Sequence, residues 1–191
     1  GVSVPLTKLA LQNKLPLVMS LVAADNVTNE YSYRYYATAQ SYVAPAFTDP
    51  ASPLKEVTDI AVIYRNDEYG NSVKVRITEM AAQYNKKILI AEPYQVNETD
   101  FSTHLTKIKA MKPQALLFVD GTPAEGVGIL KKIDELKLDL LVMETSAIFS
   151  DPAVQKQAPA ITYYTAAFRL AVPDESARLE EGYTGRCGIS H

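Results

Sequence analysis

The sequence predicts an α/β fold on a parallel sheet, and three observations carry that prediction. Short runs rich in branched aliphatics recur at residues 60–64, 87–91, 115–119 and 140–143. Between them lie helix-length segments with apolar residues three and four apart, as at Val73, Ile77, Met80, Ala81 and Tyr84. The helix boundaries carry their own punctuation: Thr122-Pro-Ala-Glu125 reads as a capping box with proline in the first turn, and Pro113 closes the preceding helix. Strands that alternate with helices in this way form βαβ units, whose strands run parallel with helices on both faces.

The elements follow in order. Residues 4–13 predict a helix, 16–20 a short buried strand, and 23–32 a polar loop. Residues 33–38, crowded with Tyr33, Tyr35 and Tyr36, read as a strand or an extended crossing segment. A helix begins over 41–47 and is stopped by the region of Pro50 and Pro53. The alternation then becomes regular. Strand 60–64 precedes helix 69–84, and strand 87–91 precedes helix 100–111, which Asp100 is placed to cap. Strand 115–119 precedes helix 123–136, and strand 140–143 precedes an irregular turn. A last strand at 161–168 leads to a weak helix near 174–183 and a polar, glycine-rich tail. The organisation expected is a Rossmann-like lobe over 39–173, a helix and fraying tail over 174–191, and, over 1–38, a crossover and piece of a second lobe. One helix and one strand in 1–32 are too little to bury themselves, so the rest of that second lobe is expected to be missing.

Bulk properties narrow the function. At 191 residues, with 47% hydrophobic and 21% charged, the chain has an ordinary globular balance. The net charge of −3, with its basic residues dispersed, offers no footprint for nucleic acid. Cys187 is the only cysteine, which excludes an internal disulfide and a cysteine-built metal site. No apolar run reaches the roughly 18 residues that a membrane span needs. Neither a dinucleotide-binding nor a P-loop glycine pattern occurs; Gly121, Gly126 and Gly128 have the wrong spacing. His104 and His191 are the only histidines, so a zinc site or a serine triad has almost nothing to be built from. His104 lies on the apolar side of its helix and reads as a packed core residue before a base or ligand. No cofactor is implied.

The candidate residues are those at strand carboxyl ends, where open α/β sheets bind ligands. Tyr69 follows strand 60–64 and offers a ring face and a hydroxyl; packing on its own loop would explain it equally well. Glu144 ends strand 140–143 beside Thr145 and Ser146, where a shielded carboxylate suits a ligand ammonium or is simply a solvated strand-end charge. Thr122 could donate to a ligand, although capping already explains it. Asp120, at another strand end, has the same two readings.

These positions are where the chain resembles the type I periplasmic binding proteins, in particular the leucine/isoleucine/valine-binding branch of ABC-transporter solute receptors. The likeness is carried by IAVIYRNDEYG (60–70), DFSTHLTKIKAMKPQALLFVDG (100–121), EGVGILKKIDELKL (125–138) and LVMETS (141–146), and extends to PLVMS (16–20) and Tyr33-Arg34. It implies a non-enzymatic, two-lobed receptor, periplasmic or otherwise extracytoplasmic, that closes on an amino acid or related small polar molecule and meets a membrane permease. By the same resemblance Tyr69 leans on the ligand and Glu144 receives its α-ammonium. Thr122 or Pro123 stands where a further tyrosine makes contact. Ala23 and Ala24 lie where Ala and then Ser or Thr hold the α-carboxylate, Asp25 adds a negative charge there, and Ser3 matches a carboxylate-binding serine. The lost hydroxyl and the added acid point away from an unmodified branched-chain amino acid. Two other readings stay open: a ligand-sensing receptor ectodomain, and a phospho-accepting receiver domain using Asp67, Glu68, Asp120 and Thr145. The receiver reading lacks its lysine in 161–169.

Overall fold

The computed structural model describes residues 3–166 except 21, 25 and 120. The chain begins with helix α1 (Ser3–Asn13), strands β1 (Leu17–Met19) and β2 (Ser32–Arg34), and helix α2 (Ala39–Thr48). A 3-10 turn at Pro53–Glu56 leads into the alternating part: β3 (Asp59–Arg65), α3 (Glu68–Gln83), β4 (Lys87–Tyr94), α4 (Ser102–Met111), β5 (Ala115–Val119), α5 (Pro123–Glu135) and β6 (Leu141–Glu144). A second 3-10 turn at Ile148–Ser150, helix α6 (Pro152–Gln157) and strand β7 (Tyr164–Thr165) follow.

Strands β3 to β7 form one sheet in the order β4–β3–β5–β6–β7, with every neighbouring pair parallel. The two-residue alternation of β3 sorts its side chains onto two faces. Ile60 and Val62 join a core with Val43 and Phe47 of α2 and with Val73 and Ile77 of α3. Ala61 and Ile63 join the opposite core, with Leu105 and Ile108 of α4 and Ile129 and Ile133 of α5. Central strand β5 is buried throughout, the expected state of a parallel strand covered on both faces. Burying one Leu or Phe side chain there stabilises the fold by about 1.5–3 kcal/mol.

Capping residues place the helices that matter for the site. Asp67 accepts from the Gly70 N–H at 2.8 Å and so starts α3. The capping box on α5 forms as the sequence predicts, with Thr122 and Glu125 reciprocally bonded.

Several boundaries differ from expectation, each for a physical reason. β4 runs on to Tyr94 through Pro93, because it is an edge strand and a proline there forfeits no ladder bond on its free side. Asp100 does not cap α4 directly: Phe101 is the N-cap residue and has no side-chain bond, while Asp100 accepts from Ser102 N–H at 3.0 Å. Phe101 is buried against the Tyr94 and Phe118 rings, and this contact fixes where α4 begins. β2 is three residues long rather than six, and α2 starts earlier, where Thr38 accepts from Ser41 N–H. β1 is not the buried strand expected: Met19 is buried, Leu17 half-buried and Val18 71% exposed, since among the described residues no layer packs on its outer face. His104 is not simply packed apolar, because its ring nitrogens face Glu92 at 3.4 Å and Glu98 at 3.0 Å. The helix expected at 174–183, the tail and the end of the 161–168 strand lie outside the described residues.

Candidate functional site

A cleft of about 700 Å³ opens at the carboxyl edge of the sheet. One wall comes from the ends of the sheet: Arg65, Asp67, Glu68 and Tyr69 after β3, Gly121 after β5, and Ser146 and Ile148 after β6. The other wall is formed by Ser3 at the start of α1, by Val22, Ala23 and Ala24, and by Tyr36 and Tyr42 around the start of α2.

Arg65 and Asp67 organise the first wall. Asp67 uses one oxygen to cap α3, and the other accepts Arg65 Nε at 2.7 Å and Nη2 at 2.6 Å. Burial presses on the guanidinium charge, but Asp67 and then Glu125 outweigh it, so the Arg65 pKa is raised above its ordinary value. The remaining terminal nitrogen, Nη1, lies over Gly121, where an added Cβ would stand 1.6 Å from it. A residue larger than glycine at 121 would displace the guanidinium. Gly70 is fixed in the same way, since a Cβ there would lie 1.9 Å from the Arg65 carbonyl oxygen.

Tyrosines line the space beside this cation. The Arg65 Cζ lies 5.7 Å from the Tyr69 ring centroid. Tyr69 meets Tyr42 edge to face at 6.2 Å, and Tyr42 meets Tyr36 at 6.1 Å. Burial, then the hydrogen bond with Tyr36, pushes the Tyr42 hydroxyl pKa well above its ordinary value, which keeps it neutral.

The residues singled out from sequence separate into two groups. Tyr69, Ala23, Ala24 and Ser3 line the cleft together. The alanine loop is pinned from behind: Ala39 N–H donates to the Ala23 carbonyl at 2.9 Å, and Arg34 donates to that of Ala24. Glu144 and Thr122 face elsewhere. Glu144 is fully buried, and its carboxylate accepts from Ser146 N–H, from Ser146 Oγ at 2.9 Å and from Ala147 N–H at 2.7 Å. Those bonds hold Ala147 at φ 99°, a left-handed backbone that alanine rarely adopts. Thr122 Oγ1 is occupied by the Glu125 N–H at 3.3 Å. Asp25 and Asp120 lie outside the described residues.

Arg65, Tyr36, Tyr42 and Ser146 were missed by the sequence reading. Arg65 carried a faint signal in the sequence, a cation closing a run of aliphatic residues. Tyr36 and Tyr42 sit on the crossing segment and on α2, and only the tertiary fold brings them to Tyr69. Among the described residues, no group of His, Cys, Asp and Glu is arranged to hold a metal ion. None of the described helices is long and apolar enough to cross a membrane.

A family model described as periplasmic binding protein matches residues 1–184. The chain belongs to the periplasmic binding protein family. Solved structures of similar fold extend the finding. A branched-chain amino acid ABC transporter periplasmic ligand-binding protein from Burkholderia xenovorans is 18% identical with a TM-score of 0.74, over 100% of this chain and 52% of that one. An ABC transporter substrate-binding protein from Sphaerobacter thermophilus is 20% identical with a TM-score of 0.72, over 96% and 53%. A solute-binding protein of an ABC transporter from Rhodopseudomonas palustris, in complex with 3,4-dihydroxybenzoic acid, is 17% identical with a TM-score of 0.69, over 97% and 53%. At these identities the likeness is one of fold. This periplasmic binding protein chain spans about half the length of those structures. No curated protein matches it.

Proposed function

We propose that this chain supplies residues 39–173 as one lobe, and 1–38 as part of a second, of a solute receptor serving an ABC-type transporter. The observation that carries the proposal is the cleft: it lies at the carboxyl ends of parallel strands, and the short N-terminal segment closes its far side. That is the place where open α/β sheets bind small molecules. The receptor is non-enzymatic and periplasmic, and hands its solute to a membrane permease. The family membership and the transporter components among the similar folds support this. The solute is an amino acid or a related small polar molecule. Aromatic acids belong in the same panel, since two proteins of similar fold are complexes with 3,4-dihydroxybenzoic acid and with benzoate.

Tyr69, Ser3, Ala23 and Ala24 are the proposed ligand contacts. The role that the resemblance gives Glu144, accepting a ligand ammonium, would require it to release the backbone donors it now holds. The geometry supports a role in shaping the 146–148 wall instead, and Thr122 likewise acts by fixing the start of α5.

Calorimetry and ligand-detected NMR with a panel of amino acids and carboxylic acids test this reading. One class of small solute is expected to bind, weakly where a single lobe supplies most of the contacts, and Tyr69→Ala is expected to weaken it. A solute bound with equal affinity by the parent and by Tyr69→Ala would place its site elsewhere.

A further inference from the structure

Resting on the reading of this cleft as the solute site, we propose that its ligand is a ring-bearing carboxylate without an α-ammonium group, held by the Arg65 guanidinium with its ring among Tyr36, Tyr42 and Tyr69. The first support is the state of the acids. An amino acid needs an acceptor for its ammonium, and three described acids at the carboxyl edge of the sheet are already satisfied by their own chain. Glu144 is closed over the Ser146 and Ala147 donors. Asp67 holds Gly70 with one oxygen and Arg65 with the other. Glu125, fully buried, accepts from Tyr94 Oη at 3.0 Å, Asn97 N–H at 3.0 Å, Gly121 N–H at 2.9 Å and Thr122 N–H at 3.1 Å. Displacing any of those donors would leave a polar group stranded in the protein interior.

The second support is the cation. Arg65 is a lining residue of the cleft, and Asp67 takes two of its three nitrogens from one side, through a single oxygen. Nη1 is displayed across Gly121, in space that any side chain at 121 would fill. A guanidinium edge of this kind suits a carboxylate, through charge-assisted bonds stronger than neutral ones. The opposite wall has the same preference, because Ser3 stands at the N-terminal end of α1, a helix with no acidic residue in its first turn.

The third support is the rings. Tyr36, Tyr42 and Tyr69 form a continuous set with successive centroids 6.1 and 6.2 Å apart, and all three line the cleft. Aromatic faces and edges at such spacing favour a planar ring in offset or edge-to-face contact over a branched aliphatic chain. Glu68, in the first turn of α3, is the remaining described acid on the lining, and binding of an ammonium probe would point to it as the acceptor.

Four matched probes separate these outcomes on the full chain: 3-phenylpropanoate, phenylalanine, phenethylamine and 4-methylpentanoate. They carry, respectively, ring and carboxylate, ring with both charged groups, ring and ammonium, and carboxylate without a ring. Calorimetry is expected to rank 3-phenylpropanoate first, with phenethylamine not binding. Arg65→Gln should weaken 3-phenylpropanoate by about 10- to 150-fold. Arg65→Lys, which keeps the charge beside Asp67 and loses the fork, should recover part of that loss. Tighter binding of phenylalanine or phenethylamine than of 3-phenylpropanoate overturns the inference while leaving the solute site in place. So does tighter binding of 4-methylpentanoate, or unchanged affinity in a folded Arg65→Gln. Failure of all four, together with the wider amino acid panel, would instead remove the solute-site reading itself.

Discussion

The five-stranded lobe and the N-terminal segment of α1, β1 and β2 are built from similar proportions of apolar residues and end in opposite states. In the lobe, helices cover both sheet faces, and two cores close over residues such as Leu117 and Phe118 that no solvent reaches. In the segment, the buried hydrophobic cluster is Met19, Ala24 and Val27. Leu6, Leu9, Leu11 and Leu15 of the α1 region stand exposed, as do Val18 on β1 and Tyr33 and Tyr35 on and beside β2. Composition does not separate the two regions; the number of layers does. A sheet with helices on both faces buries alternate residues twice over, whereas two strands beside one helix, as among the described residues here, leave a face bare. The cleft joins the two, so its rigid wall carries Arg65 and Tyr69, and its lightly anchored wall carries Ser3, Ala23 and Ala24.

Truncating the core should break the comparison most sharply. Phe118→Ala is expected to cost about 3–5 kcal/mol of unfolding free energy, through lost transfer energy and a residual cavity. Leu9→Ala or Val18→Ala should stay within about 0.5 kcal/mol, as exposed substitutions do. Urea denaturation measures all three, and similar costs in both regions would show that the segment is as well packed as the lobe.

Removing one of the buried loop clamps comes next. Glu144→Gln is expected to cost about 1.5–3 kcal/mol, because Ser146 and Ala147 lose a charged acceptor and Ala147 is left in its left-handed conformation. The same denaturation series reads it, and a neutral result would mean that the 146–148 turn holds itself.

Native-state hydrogen exchange should then resolve the two regions directly. Amides of β3 and β5 should exchange only through global unfolding, and those paired between β1 and β2 through opening of lower free energy. Equal protection would contradict the layer argument. The bare face also invites self-association, so Val18→Lys should shift the chain toward monomer in sedimentation velocity, whereas a lysine at exposed Lys-rich surface of α5 would change nothing.

The smallest effect expected is electrostatic. Burial pushes the Glu92 carboxyl up, but Lys107 at 2.7 Å and His104 outweigh it and hold its pKa below the ordinary value of 4.5. A carboxyl depressed in the folded state contributes stability that is present above its unfolded pKa and lost as pH falls through the folded one. Acid titration of the lobe should therefore show a shallow loss below about pH 4.5 that Glu92→Gln removes. A profile unchanged by the substitution would show that the pair contributes nothing.

Much of the lobe is determined by the sequence alone, because the relevant physics is local. Runs of branched aliphatics placed β3 and β5, period-3.6 patterning placed α3 and α5, and the Thr122–Glu125 capping box can be read from four consecutive residues. Tyr69, Ser3, Ala23 and Ala24 came from knowing which strand ends face a cleft and from a family resemblance. Tertiary structure decided the rest. Pro93 is allowed within a strand only because β4 lies at the sheet edge, and Phe101 sets the start of α4 only through rings from β4 and β5. Whether the Glu144 carboxylate meets a ligand or its own loop depends on where the 146–147 amides fold, and whether Arg65 enters the cleft depends on a glycine 56 positions away at Gly121. Hydrogen bonds and close approaches between distant segments carry no sequence period, so these partners become visible only once the chain has packed.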